Sequence, residues 1–559
     1  MADQKNQIES LRIQAVRMYQ ANRFLEASRL NYNICQLDPG NADAWYALAW
    51  ICLKIFNSHD AEIAARKAIS IAPKRPESYT VLGGALQQQH RYGDALAVYK
   101  QALKLKKKNP GVHHNIGQLF KQMGNTKEAL QSYRQAQKIL AQEGTHSNIL
   151  MCLNYFDRIN PEELYQEHIR WGKRYGDQNV GRHKFANTPN AERQLRIGYV
   201  SADFREHPVA WFLEPVLAHH DKNMFHITCY SAVAIPDHTT ARLSRLVEEW
   251  RNIYNKPDGQ VVQQVKNDKI DILVDLSGHT AGNRLKVFAQ KPAPVQVTYL
   301  GYPNTTGVDT VDYRLTDTWA DPPEMTEPYH CEKLVRLPHG FLCYSPHPDA
   351  SEVSPSPFIK NGYITFGSFN SLAKIMPPVV AAWAAILKKL PEARLFIKTY
   401  SFTDPDTRES YMAQFNDAGV DAERIELRGP VKTMSDHLGM YREVDIALDT
   451  FPYNGTTTTL EALWMGVPTI TAAGKSHAGR VGVSLLAQAG LDEFIAESID
   501  EYISIAVHLA ENTATVQQLR NTLRDRVSNS TLCDARSFTH YLEEAYRNMW
   551  RDWCQVLST

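Results

Sequence analysis

The stretch DIALDTFPYNGTTTTLEALWMGVPTITAAG, residues 445–474, runs from one apolar, β-branched segment to another through a polar turn and an amphipathic segment. Its ends, 445–451 and 468–474, read as strands, and between them a helix that carries Glu461 begins in the four threonines. Strand, turn, helix and strand are the repeating unit of a parallel sheet with covered faces. The same texture continues towards the N-terminus in ITFGSFN (364–370), ARLFIK (393–398) and RIELRGP (424–430), with the amphipathic PPVVAAWAAILKKL (377–390) between strands. Beyond the proline-rich SEVSPSPF (351–358), an earlier set comprises LRIGYVSAD (195–203), FHITCYSAV (225–233), IDILVDLSG (270–278) and VQVTYLGYP (295–303). Two such sets predict two Rossmann-like α/β domains that hold a ligand beyond the carboxyl ends of their strands. Helical segments at roughly 498–510 and 536–553 close the chain.

The first quarter of the chain has a different period. Ala27, Ala61, Ala95 and Ala129 recur every 34 residues, as do the large residues Leu11, Trp45, Tyr79 and His113. Gly83 and Gly117 share one repeat position, Ala68, Ala102 and Ala136 another, and Pro39 and Pro73 close the first two repeats. This pattern resembles the tetratricopeptide repeat, with units beginning near Ile8, Ala42, Pro76 and Pro110. The small residues let paired helices approach, and each repeat buries its face on the next. The array reads either as a protein-binding arm or as a prop for the rest of the chain. The basic run 104–108 falls at a helix end and reads as a solvated terminus. The expected domains are four tetratricopeptide repeats (8–143), a helical linker (144–193), an N-terminal Rossmann-like domain (194–350) and a C-terminal Rossmann-like domain with closing helices (360–555).

Composition narrows the function classes. The 559 residues are 43% hydrophobic and 22% charged, as in ordinary globular proteins, and suffice for several domains. Lys plus Arg (61) equals Asp plus Glu (61), so no net field draws the chain to nucleic acid or anionic lipid. Eight scattered cysteines without a C-x-x-C predict reduced, mostly buried thiols rather than disulfides or zinc ligands. The start MADQKNQIES lacks a signal-peptide pattern, and no window reaches the ~18 apolar residues of a membrane span. The expectation is a cytoplasmic protein with no membrane or nucleic-acid partner. Dinucleotide, P-loop and α/β-hydrolase fingerprints are missing from the sequence.

The chemistry concentrates at 449–468. Asn454 and Gly455 end the strand in a tight turn, and Thr456, Thr457 and Thr458 place hydroxyls and amides at a helix N-terminus suited to a diphosphate. Glu461 lies one turn on, where a carboxylate can accept hydrogen bonds from ribose hydroxyls. The plainer alternative is N-capping by threonines with Glu461 as a surface acid. Four threonines exceed what capping needs.

This segment, with RIGYVSADFREHPVAWFLEPV (196–216), GHTAGNRLKVFAQKPAPVQVTYLGYPNTTG (278–307), ADPPE (320–324) and ITFGSFNSLAKIMP (364–377), resembles the SPINDLY and O-GlcNAc transferase family. The resemblance covers nearly the whole chain. It implies a GT-B fold and inverting transfer of one sugar from a nucleotide sugar to Ser/Thr of proteins, without cofactor. It also implies site residues. Lys374 corresponds to a lysine on the donor diphosphate, where a fixed ammonium stabilises the departing charge. His207 matches a histidine near sugar and acceptor, either as base towards the acceptor hydroxyl or as a positioning group. His279 is given a donor-lining place, and His437 aligns with a histidine that packs on the nucleotide base.

Where animal O-GlcNAc transferases carry a lysine and an arginine near the base, this chain has Met434 and Met440. Its TTTTLE also follows SPINDLY, whose plant members are O-fucosyltransferases. On these grounds GDP-fucose is expected as donor ahead of UDP-GlcNAc. Asp404-Pro405-Asp406 matches the D-x-D spacing of metal-dependent glycosyltransferases, but its composition is that of a turn, and no metal is expected. Protein acceptors held partly by the repeats are the expected partners. Repeats of this family also mediate homodimers, and four units give too little surface to decide that. The other readings are a repeat scaffold that has lost activity and a nucleotide-sugar epimerase or phosphorylase on the same core.

Overall fold

Helix α1 (Ala2–Gln20) and α2 (Phe24–Leu37) form the first of four antiparallel pairs. The others are α3 (Ala42–Lys54) with α4 (Ser58–Ile71), α5 (Pro76–Gln88) with α6 (Tyr92–Leu105), and α7 (Pro110–Gln122) with α8 (Thr126–Ile139). The structure, a computed structural model, describes residues 2–176 and 185–558. One compact unit comprises residues up to 145 with 399–413 and 428–430, and the remainder forms the second.

The repeat signature has a packing cause. Ala27, Ala61, Ala95 and Ala129 are all 0% exposed, where each pair's helices touch. A Cβ on Gly83 would stand 2.4 Å from the Tyr99 ring, and one on Gly117 2.6 Å from that of Tyr133. Those tyrosines, like the glycines, are one repeat apart, and in the preceding unit the same two positions hold the buried Ala49 and Ala65. Trp45 and Tyr79 donate to the carbonyls of Pro39 (3.1 Å) and Pro73 (3.0 Å), which accounts for two further repeat positions. Each pair also turns through a left-handed residue: Asn22, Phe56, His90 and Gly124, with φ between 58° and 80°. This feature was not legible, because one of the four is glycine.

Asp404 belongs to the repeat-bearing unit. Its Oδ1 accepts from the amides of Tyr92 (2.8 Å) and Gly93 (3.4 Å), and its Oδ2 from the Thr407 amide and hydroxyl. The D-x-D aspartate therefore acts as a helix cap.

The second unit opens within α9 (Glu143–Leu153), at residue 146, and continues in α10 (Pro161–Tyr175); residues 177–184 of the expected linker lie outside the described residues. Its first sheet contains β1 (Leu195–Ser201), β2 (Phe225–Ser231), β3 (Glu249–Asn252), β4 (Ile272–Asp275), β5 (Val295–Thr298), β6 (Tyr313–Thr316) and β7 (Lys333–Arg336). All are parallel, in the order β3-β2-β1-β4-β5-β6-β7. The second sheet contains β8 (Thr365–Ser368), β9 (Arg394–Lys398), β10 (Ile425–Arg428), β11 (Ile446–Leu448), β12 (Thr469–Ala472) and β13 (Ile495–Ala496), in the order β10-β9-β8-β11-β12-β13. The fold is a tetratricopeptide array followed by two Rossmann-like domains.

Four strands escaped the sequence reading. β3 and β7 are edge strands with exposed or half-buried residues throughout, so neither shows an apolar run. β6 is interrupted by Arg314, buried and bonded to the Asn304 carbonyl at 2.9 Å, and β13 has two residues. Helix Thr513–Ser528 was also missed, since its buried stripe is narrow: Val516, Leu519, Leu523 and Val527.

The last helix, Ala535–Ser558, returns to the first sheet domain. There the Tyr546 hydroxyl meets that of Tyr199 at 3.2 Å, His220 donates to Glu543 at 2.9 Å, and Trp550 donates to the Asn190 carbonyl at 2.9 Å. Loops from the carboxyl ends of β6 and β12 join the two domains. His477 donates to Asp321 (2.6 Å), Ser484 to Asp317 (2.6 Å) and Arg480 to the Trp319 carbonyl (2.8 Å). Burial would raise the Asp321 carboxyl, but His477 holds it well below the usual carboxylate range.

Candidate active site

Strand order in the second sheet reverses between β8 and β11, where an open parallel sheet leaves a crevice at its carboxyl edge. The loop after β11 is fastened from below by Asp449, which is 1% exposed. Its Oδ1 accepts from the amides of Gly455 (2.6 Å) and Thr450 (2.8 Å), and its Oδ2 from the Thr471 hydroxyl (2.8 Å). Burial raises its carboxyl to about 6 despite these donors. Gly455 is required by close approach: a Cβ would stand 2.7 Å from the hydroxyls of Thr458 and Thr459 and 3.0 Å from Asp449 Oδ1. The Asn454 side chain holds the turn together. That side chain is buried, donates to the Thr450 carbonyl at 2.9 Å and accepts from the Gly482 amide at 3.2 Å.

The helix Thr457–Trp464 starts without a side-chain cap from Thr456, so capping does not explain the threonines. Thr456, Thr457 and Thr458 are half-buried, and Thr458 donates to Asn370 Oδ1 at 3.2 Å, linking the loops after β8 and β11. Lys374 comes from the β8 loop. Its ammonium donates to the Asn454 carbonyl at 2.7 Å and lies 4.4 Å from the centre of the Tyr453 ring. Burial, partly offset by Asp449, lowers it to about 8. A cation beside an uncapped helix N-terminus makes an anion site.

One turn along, Glu461 is 5% exposed rather than a surface acid. Its Oε2 accepts from His437 Nε2 at 3.0 Å. The Tyr441 hydroxyl donates to the Thr458 carbonyl at 3.1 Å, with Glu461 Oε2 3.5 Å away. Lys398, at the end of β9, donates to His437 Nδ1. Burial, partly offset by Glu461, lowers its ammonium to about 8. Phe369 stacks on Tyr441 at 4.3 Å in the core behind His437 and Lys398.

Two histidines come from the first sheet domain. His207 follows β1 and caps the helix Pro208–His219: its Nδ1 accepts from the Val209 amide at 3.3 Å, leaving the neutral ring's proton on Nε2. Burial lowers its pKa against the pull of Asp203, so the ring is neutral near pH 7. That arrangement offers Nε2–H as a donor, with Asp203 Oδ1 3.8 Å away. His279 departs from its donor-lining assignment. It is 2% exposed, its Nδ1 accepts from Ser147 at 3.0 Å, its Nε2 donates to the Thr306 carbonyl at 2.8 Å, and Trp171 and Tyr302 pack on its ring. Both nitrogens are consumed by the core.

Sequence reasoning missed Asp449, Asn370, Lys398, Phe369 and Tyr441. Asp449 was within reach, because an aspartate that ends a buried strand next to a glycine turn commonly accepts the turn's amides. Lys398 gave no local signal: it ends an ordinary strand, and only sheet order sets it beside His437.

Two parallel-sheet domains in succession, the second with a crevice where its strand order reverses, are the arrangement of a GT-B glycosyltransferase. The sequence matches glycosyl transferase family 41 over residues 178–347 and 358–542, and tetratricopeptide repeats over 42–75, 88–124 and 110–139. The chain belongs to glycosyl transferase family 41. It is 47% identical over 411 residues to a rice protein named probable UDP-N-acetylglucosamine–peptide N-acetylglucosaminyltransferase SPINDLY, covering 73% of this chain and 44% of that one. The Arabidopsis thaliana protein named probable UDP-N-acetylglucosamine–peptide N-acetylglucosaminyltransferase SEC is 33% identical over 373 residues, 65% of this chain and 38% of that one. The chain thus spans less than half the length of these curated relatives. A solved O-GlcNAc transferase mutant from Thermobaculum terrenum superposes with a TM-score of 0.88 at 37% identity, covering 92% of this chain and 98% of that one.

Proposed function

We propose that the chain transfers one sugar from a nucleoside-diphosphate sugar to Ser/Thr hydroxyls of proteins, with inversion at the anomeric carbon. The observation that carries the reading is Lys374 beside the uncapped helix N-terminus at Thr457, two sources of positive potential on loops of one switch point. As the acceptor oxygen bonds to the anomeric carbon and gives up its proton to solvent, the bond to the diphosphate breaks and negative charge grows on the leaving group. A preorganised ammonium and helix dipole stabilise that charge more than they stabilise the bound donor. Glu461, steadied by His437, is suited to the ribose hydroxyls, and His207 Nε2 to a sugar or acceptor oxygen. We assign the repeats to the protein acceptor, and no metal or cofactor to the reaction.

Two donors enter the test. The names of the relatives support UDP-GlcNAc. The higher identity to SPINDLY than to SEC, together with the threonine run, supports GDP-fucose as the second reading. Met434 and Met440 do not leave the base site without a cation, because Lys398 supplies one beside His437. Incubation with each labelled donor and a cell lysate tests the activity. Label in protein supports transfer, turnover without protein points to an epimerase or phosphorylase, and no donor binding leaves a scaffold.

A further inference from the structure

The donor-site reading leaves Lys398 unused. The residue is buried, at 5% exposed, and its ammonium donates to His437 Nδ1 with the Phe369 ring centre 5.7 Å away. That bond fixes the histidine: with Nδ1 accepting, the neutral ring carries its proton on Nε2 and directs it to Glu461. A single lysine therefore sets both a tautomer and the orientation of the carboxylate.

The order of groups along the crevice follows the order of parts in a nucleotide. Phosphates belong at Lys374 and Thr457. Glu461 lies one helical turn, about 6 Å, further along. Beyond it stand His437 and Lys398, both packed against Phe369, and a base attached to that ribose arrives there. An ammonium has three N–H donors, so it can serve His437 and a ligand atom together. It attracts a carbonyl oxygen and repels an amino group. Uracil and guanine carry a carbonyl (O4, O6) at the ring position where cytosine and adenine carry an amino group (N4, N6).

We infer that Lys398 makes the donor site selective for keto nucleobases, through direct donation to the base carbonyl and through His437. The inference rests on the nucleotide-sugar reading above and names the base class that both candidate donors share.

Calorimetric titration of the full chain with UDP, GDP, CDP, ADP and inorganic pyrophosphate tests it. For the wild type, UDP or GDP is expected to bind at least about tenfold tighter than CDP and ADP, roughly 1.4 kcal/mol. In Lys398→Met the preference should fall to within about threefold, with pyrophosphate affinity unchanged, because the phosphate groups are held elsewhere. Lys398→Gln, whose amide both donates and accepts, should lose the preference equally. Wild-type protein that binds CDP or ADP as tightly as the better keto nucleotide overturns the inference, even if neither variant folds. So does a folded variant that keeps the tenfold ratio. Failure of all five ligands to bind the wild type instead overturns the proposed function, and this inference with it.

Discussion

Replacing Lys374 by Met should move activity and stability in opposite directions. The half-buried ammonium faces a backbone carbonyl and an aromatic ring, and burial depresses it from 10.5 to about 8. Undiscounted, that depression corresponds to about 3 kcal/mol of cost for keeping the charge in the empty site, and solvent screening leaves about 2. Methionine removes this cost but also the bond to the Asn454 carbonyl, about 1 kcal/mol. The variant should therefore be about 1 kcal/mol more stable than wild type at pH 7, read from urea midpoints. The pH dependence follows from linkage. Between about 8 and 10.5 the unfolded wild type binds more protons than the folded one, so its stability rises through that window and the variant's advantage closes. Transfer should fall at least ~100-fold, since the lost charge acts as the diphosphate departs. In the wild type, kcat/KM should decline as pH rises through about 8, where the free enzyme's ammonium deprotonates. A folded variant with near wild-type transfer, or one less stable than wild type by 1 kcal/mol or more at pH 7 (about a fivefold shift in unfolding), would refute the reasoning.

Gly455→Ala forces a Cβ against two threonine hydroxyls and Asp449, so it should cost about 1–3 kcal/mol and weaken pyrophosphate binding in the same titration. Binding at wild-type affinity would contradict the close approach. Gly83→Ala drives a Cβ into the Tyr99 ring and should lower the urea midpoint, while adding Tyr99→Ala recreates the Ala49–Ala65 pair of the preceding repeat and should recover part of the loss. Purely additive effects would sink that account. Phe56→Gly relieves a left-handed, 73% exposed residue in the α3–α4 turn and should stabilise the chain by about 1 kcal/mol. No gain in the midpoint would remove the case for strain there.

Periodicity made the architecture legible where burial is one-sided or complete. The 34-residue alanine register marks helix contacts, and each strand that the sequence disclosed among β1, β2, β4, β5, β8, β9, β11 and β12 is wholly or mostly buried. Edge strands β3 and β7 stayed hidden because solvent tolerates polar residues there. The segment 449–468 was readable as an anion site, since a glycine turn followed by threonines at a helix start is local chemistry. Nearness in sequence did not reveal what each residue does. Asn454 and Gly455 stand in that segment, yet one is spent on holding the loop and the other on admitting its hydroxyls.

What the sequence alone determined is therefore the set of elements and the chemistry of a contiguous turn, because both depend on neighbours within a few residues. Tertiary structure decided the assignments made across elements. His279, promising beside a glycine, is absorbed by Ser147 and Thr306 from two distant segments. Lys398, unremarkable in its strand, is set beside His437 and Glu461 by a crossover that no local pattern encodes. Whether a titratable side chain faces a ligand or the core depends on how sheet order brings its partners together, and those partners lie tens to more than a hundred residues away.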